Sequence, residues 1–208
     1  MPVAVQALPY LAALAAVAIL AGWLGGTWAA APFLAAAGFV LYFFRDPQRV
    51  SPEGEGLVVS PADGRVTDVE RRPEGARISI FLSLFNCHIN RAPVAATIVS
   101  VTHTPGLFRA AWDRRAATEN ERNHLQLRAA DGEYGVTQIA GILARRIVCS
   151  KRAGDAVGRG ERIGLIQFGS RTDLHLPPGV EPAVEVGDRV RGAVTVLARR
   201  VRAARVAS

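Results

Sequence analysis

The chain has 208 residues, of which 50% are hydrophobic and 21% charged, a length that suits one domain of about 100–200 residues. That composition excludes a disordered or low-complexity chain. The two cysteines, Cys87 and Cys149, are too few for a disulfide-built secreted scaffold or a four-thiolate zinc site. A formal charge of +7 favours an anionic partner, either a nucleic acid or a membrane surface.

The N-terminus decides between those partners. No charged side chain occurs before Arg45, and two apolar runs, Val3 to Leu24 and Trp28 to Phe44, flank Gly25, Gly26 and Thr27. The first run is long enough for a hydrocarbon core, which takes roughly 20 helical residues; the second is at the short end. The pair reads as a helical membrane hairpin, spanning or re-entrant, over residues 1–44. A cleaved signal peptide competes poorly, because no basic stretch precedes the first run and a second run follows at once. Arg45 and Arg49 then place the following domain, residues 45–208, on the cytoplasmic side of the cell membrane. The anionic partner is accordingly a membrane, with no nucleic acid.

Beyond Asp46, short β-branched stretches alternate with Gly, Pro and Asp turn signals. Leu57 to Ser60, Gly64 to Val69, Arg77 to Leu82, Ala95 to His103, His124 to Arg128 and Tyr134 to Ile142 read as strands. Helical periodicity is weak, so a mostly β domain is expected. One pattern recurs: AGDAVGRGERI over Ala153 to Ile163 and VGDRVRGAVTV over Val186 to Val196, each with a Gly-Asp turn before an apolar residue. Such turns resemble the flattened β-barrels and sandwiches of biotinyl and lipoyl carrier domains. The one lysine, Lys151, lies before its turn and not at the tip, which argues against a lipoyl carrier.

Few side chains here can do chemistry. His88 ends an apolar strand just before Pro93, and Cys87 beside it lacks further ligands at metal-site spacing, so no metal is expected. Ser170 follows Phe168 and Gly169, without the G-x-S-x-G elbow of α/β hydrolases. A glycine before the serine uncovers the preceding carbonyl, so the hydroxyl can attack its own backbone if a base is near; Asp63 and His88 are the candidates.

Phe43-Phe44-Arg45-Asp46-Pro47, Pro61-Ala62-Asp63-Gly64, Phe85 to Pro93, Glu119-Asn120-Glu121-Arg122-Asn123 and Phe168-Gly169-Ser170 occur in this order. Together they resemble the phosphatidylserine decarboxylases, in their short bacterial and archaeal branch. The resemblance implies a carboxy-lyase made as a proenzyme that cuts itself between Gly169 and Ser170. The products would be a β chain, residues 1–169, and an α chain, residues 170–208, that stay associated. Ser170 becomes a pyruvoyl group, which forms a Schiff base with the serine headgroup of phosphatidylserine and takes up the carbanion's charge, yielding phosphatidylethanolamine. No pyridoxal phosphate is implied: Lys151 stands alone and no phosphate loop is evident.

Asp63 and His88 take the places of base and orienter for self-cleavage, and His88 that of proton donor after carbon dioxide leaves. Longer members carry a second histidine where this chain has Arg91, so His124 is a candidate helper. Arg91, Arg122 and Arg171 are candidates for the lipid phosphate or carboxylate. Three alternatives stay open: a membrane-bound serine hydrolase using Ser170, His88 and Asp63; a noncatalytic membrane-tethered barrel; and a decarboxylase of the ether-lipid analogue archaetidylserine. Assembly as a homodimer is open too.

Overall fold

A computed structural model describes residues 2–109, 113, 115–141, 146–167 and 170–201. The chain divides into two compact units, Met1–Gln48 and Arg49–Ser208.

The first unit is an α-helical hairpin. A 3-10 turn, Val5–Ala7, leads into α1 (Leu8–Gly25), which has a proline in its first turn, where the missing N–H costs nothing. Gly26, at φ 77°, ends α1 and opens α2 (Thr27–Phe43). The continuous helix Val5–Gly25 is long and apolar enough to cross a membrane; α2 is shorter. The apolar surface faces outward: Trp23 is 82% and Trp28 89% exposed. A soluble core helix would bury such residues. Below the hairpin, Val3 bridges Arg45, whose guanidinium lies 4.0 Å over the Tyr42 ring.

The second unit is mostly β. Its strands are β1 (Leu57–Val59), β2 (Gly64–Arg72), β3 (Gly75–Leu82), β4 (Ile89–Arg91), β5 (Ala96–Thr104), β6 (Arg122–Ala129) and β7 (Gly132–Ile139). They continue with β8 (Arg146–Cys149), β9 (Ala156–Val157), β10 (Arg162–Gln167), β11 (Ser170–Leu176), β12 (Val180–Pro182), β13 (Arg189–Val190) and β14 (Val196–Arg200). All six expected strands are present within a residue or three at most ends. β7 stops at Ile139, and Ile142 lies outside the described residues. A single helical turn, α3 (Ala116–Glu119), is too short to leave a periodic trace in the sequence.

An eight-stranded antiparallel sheet, ordered β13-β2-β3-β11-β7-β6-β5-β9, curls into a half-barrel. Two three-stranded sheets, β1-β14-β12 and β4-β10-β8, accompany it. Alternation along the strands builds the core: Ile78, Ile80, Leu82, Leu125, Leu127, Val136, Leu174 and Leu176 all point inward and are buried.

Its two edges are built alike, and the recurring Gly-Asp pattern is the reason. At one edge Gly154 N–H donates to Ile98 O at 2.8 Å and Ile98 N–H to Asp155 O at 2.9 Å. At the other, Gly187 N–H donates to Val66 O at 2.8 Å and Val66 N–H to Asp188 O at 2.9 Å. Both glycines adopt positive φ, 93° and 103°, as the turn requires. The likeness spreads inward. Val59 N–H to Pro93 O matches Arg91 N–H to Pro61 O, both 2.9 Å, and Arg200 N–H to Gly56 O at 2.9 Å matches Ile166 N–H to His88 O at 3.2 Å.

A pseudo-two-fold between β11 and β7 therefore relates β1–β3 with β11–β14 to β4–β10. Pairing of Ser170 with Leu82 on one side corresponds to that of Gly132 with Ala129 on the other. Ala129 and Gly132 are joined by a two-residue hairpin turn. Leu82 and Ser170 are joined only through residues 83–169, so one half of the barrel is inserted into the hairpin tip of the other.

Candidate active site

That insertion gathers residues far apart in sequence. The end of β3, the start of β11, the end of β7 and the start of β6 lie at one end of the sheet, because Leu82 pairs with Ser170, Arg171 with Ile139, and Arg122 with Ile139. The start of β2 is there too, since Arg65 pairs with Phe81. The segments around Asp63, His88, Asn120 and Ser170 thus converge at this end.

Ser170 opens β11, fully buried, and alternation puts it on the same face as Thr172, Leu174 and Leu176. Its hydroxyl has no hydrogen-bond partner among the described residues. Buried hydroxyls are nearly always paired, so this one is unusual. Gly169 and Phe168 lie outside the described residues.

His88, 2% exposed, precedes β4, and its carbonyl accepts from Ile166 on β10, the strand that leads to Ser170. Its Nδ1 lies 3.0 Å from the carbonyl of Asn86. A carbonyl only accepts, so Nδ1 carries a proton here, and in the neutral ring the lone pair is then on Nε2. Asn86 is itself anchored, its Oδ1 accepting from the Ser83 N–H at 2.8 Å and hydroxyl at 2.7 Å.

Asp63 sits just before β2 and is 9% exposed. Arg49 grips both its oxygens, with Nη1 on Oδ1 and Nη2 on Oδ2 at 2.7 Å, and Gly192 N–H donates to Oδ1 at 2.8 Å. Arg49 Nη1 also donates to Gly192 O at 2.7 Å. The next residue, Gly64, has φ 156°, and a Cβ there would lie 2.1 Å from Phe81 O, so only glycine lets the loop lie this close to β3. The sequence offered no sign of the Arg49 clamp, because its partners are distant along the chain.

The remaining candidates are placed differently. Arg91 is buried, with Nη1 donating to Gly160 O at 3.0 Å. Arg122 Nη1 donates to Thr118 O at 2.6 Å. Arg171 and His124 project from the face of the sheet opposite Ser170. Arg171 is locked in a buried pair with Asp173, Nε to Oδ1 at 2.6 Å, and donates to Ser79 Oγ at 2.8 Å. His124 stands against His175, ring centroids 5.6 Å apart, with Thr137 Oγ1 between them at 2.8 and 3.2 Å. Burial lowers the pKa of both rings; for His175 the Asp173 carboxylate opposes the lowering and the His124 charge adds to it. Among the described residues no group of three or more His, Cys, Asp or Glu could hold a metal ion.

The pseudo-two-fold isolates what is particular to this end. Ser170, His88 and Asp63 correspond to Gly132, Gly56 and Ala95, which carry no functional group. A cavity of about 1060 Å³ opens at that opposite end, lined by Gly56, Ala95, Tyr134, Arg159 and Arg200 among others. The segments around Ser170, His88 and Asp63 and this cavity therefore occupy opposite ends of one pseudo-symmetric framework.

A family model for phosphatidylserine decarboxylase matches residues 36–198. A phosphatidylserine decarboxylase proenzyme of Ruegeria pomeroyi is 51% identical, the match covering 76% of this chain and 77% of the relative. One from Pelobacter propionicus is 43% identical over 95% and 96%, and one from Nitratidesulfovibrio vulgaris 50% identical over 84% of each. Matches of this extent make the chain a carboxy-lyase. It belongs to the phosphatidylserine decarboxylase family.

Proposed function

We propose that this chain converts phosphatidylserine to phosphatidylethanolamine with a pyruvoyl group made from its own Ser170. The observation that carries the reading is the buried Ser170 hydroxyl at the start of β11, without a hydrogen-bond partner among the described residues, in a family whose relatives are named proenzymes.

Ser170 Oγ attacks the Gly169 carbonyl carbon; the Oγ–C bond forms, the C–N bond to Ser170 breaks, and the hydroxyl proton passes to the freed nitrogen. His88 Nε2 is the base that carries that proton, its ring held by the Asn86 carbonyl. Asp63 takes the orienting place from the neighbouring loop, its carboxylate fixed by Arg49 and Gly192. Elimination then leaves a carboxylate on Gly169 and a dehydroalanine, whose hydrolysis consumes one water and releases ammonia. The resulting group supplies an electron sink for the carbanion left when carbon dioxide departs, which no ordinary side chain offers. His88 returns a proton to that carbon.

Residues 170–201 contribute β11 between β3 and β7, β14 between β1 and β12, and β13 at the sheet edge. Fragments so interleaved stay together after cleavage. A bilayer substrate suits the apolar helix Val5–Gly25. It also suits the exposed Phe85, Leu107 and Phe108, which lie on loops at the Ser170 end. The positive charges of Arg45 and Arg49 next to the apolar runs support a catalytic unit on the cytoplasmic side of the cell membrane.

Carbon dioxide release from phosphatidylserine vesicles tests the reading. Full-length protein is expected to turn over the lipid and Ser170→Ala to be inactive; an active Ser170→Ala protein would exclude this role.

A further inference from the structure

Four buried side chains that the mechanism leaves unused form one hydrogen-bonded file. Asn123 on β6 donates Nδ2–H to Gln138 Oε1 at 3.0 Å. Gln138 on β7 donates Nε2–H to Asn90 Oδ1 at 2.8 Å, and Asn90 on β4 donates Nδ2–H to Thr172 Oγ1 at 3.1 Å. None is more than 3% exposed. Every amide donates in the same direction, so turning one over would set N–H against N–H or oxygen against oxygen.

The pseudo-two-fold shows that the fold does not need this file. The counterparts of Asn123, Gln138, Asn90 and Thr172 are Ala76, Leu176, Val58 and Tyr134, all members of the apolar core. Even the space is specific. A Cβ at Gly164 would meet the Val148 carbonyl oxygen at 2.3 Å and Gln138 Nε2 at 3.1 Å, whereas the position matching Gly164 in the other half is Ala198, so the close approach of β8 and the file share this glycine. A buried amide network has to offset the desolvation of its polar groups before it stabilises at all, and when fully satisfied it rigidifies what it joins.

The placement of these four residues indicates what they join. Asn90 lies two residues beyond His88, and Thr172 two residues beyond Ser170. β4 belongs to the β4-β10-β8 sheet, whereas β6, β7 and β11 belong to the eight-stranded sheet. The Asn90 amide, held from both sides, ties the sheet that presents His88 to the sheet that begins with Ser170. In the precursor the peptide from Gln167 to Ser170 makes the same tie, and self-cleavage cuts that peptide.

We propose that Asn123, Gln138, Asn90 and Thr172 form a positioning clamp that keeps His88 in register with residue 170 after the chain is cut. This rests on the reading that the chain cleaves itself before Ser170. The clamp matters little while the peptide is whole and governs turnover once it is severed.

Thr172→Val keeps the shape and the strand preference while removing the acceptor. It is expected to be cleaved as completely as wild type by intact mass. Its kcat on phosphatidylserine should fall about tenfold or more, because small displacements of a catalytic group cost that much, with KM within about twofold. Thr172→Ser restores the hydroxyl and should recover most of kcat. Gln138→Met, which removes the donor to Asn90, carries the same expectation and serves if Thr172→Val does not fold. Wild-type kcat in both Thr172→Val and Gln138→Met would overturn the clamp. So would cleavage, thermal stability and kcat falling in parallel without rescue by serine, the signature of a merely structural role. A wild-type protein that stays uncut would instead refute the reading on which the clamp rests.

Discussion

Replacing Arg49 by methionine isolates the ion pair that holds Asp63. The two side chains are only 7% and 12% exposed, and the guanidinium contacts both carboxylate oxygens and the Gly192 carbonyl. Without Arg49 the carboxylate retains one partner in this set, the Gly192 N–H at 2.8 Å. Removing one member of a buried pair costs about 3–5 kcal/mol, since the other charge is left uncompensated. At about 2–4 °C per kcal/mol for a domain of this size, the melting temperature should fall by roughly 6–20 °C. Calorimetry of wild type, Arg49→Met, Asp63→Leu and the double variant measures this, and the double variant should lose at least about 1 kcal/mol less than the two single losses combined. Additive losses, or an Arg49→Met protein within about 1 kcal/mol of wild type, would refute the assignment of Asp63 to this clamp.

Three further perturbations test other parts of the account. Burial lowers the pKa of His124 and His175, so the unfolded chain binds more protons than the folded one below its ordinary histidine range near 6.5, and stability should fall as pH drops through that range. The slope approaches about 1.4 kcal/mol per pH unit for each ring; His124→Gln should flatten the profile of unfolding midpoint against pH, and an unchanged profile would contradict it. Gly64→Ala forces a side chain to φ 156° with its Cβ 2.1 Å from Phe81 O, a strain of about 1–3 kcal/mol before the clash is counted, visible as a lower denaturation midpoint. Ala15→Arg places a charge at the centre of the apolar helix Val5–Gly25, at about 2.5–3.5 kcal/mol for insertion there. It should shift the protein from vesicle pellets to supernatant in sedimentation, and unchanged pelleting would argue against a membrane role for α1.

Local patterns made much of this fold readable. The strands follow from alternation between turn signals, and the apolar hairpin from a stretch without charge. His124 could be assigned to the outer face because it alternates with Leu125 and Leu127, although its partner His175, in a distant strand, could not. The duplication was half visible. Its Gly-Asp turns at Gly154 and Gly187 need particular residues, whereas the matching segments before β2 and β5 share backbone hydrogen bonds that almost any side chain permits. The amide file leaves no local trace in the sequence for a related reason. Asn90, Asn123 and Gln138 look like ordinary surface polar residues until long-range pairing buries them together. Asp63 and His88 were recognisable as chemical groups, but their settings, the Arg49 grip and the Asn86 carbonyl, depend on how the loops fold back.

The most direct test of the central claim is the intact mass of the purified full-length protein. The account predicts two associated pieces, one of them residues 170–208, 39 residues, lighter than the serine-initiated peptide by one ammonia and lacking a free α-amine. Ser170→Ala should remain one chain of 208 residues. A wild-type protein that stays a single uncut chain, or a Ser170→Ala protein processed like wild type, would contradict it.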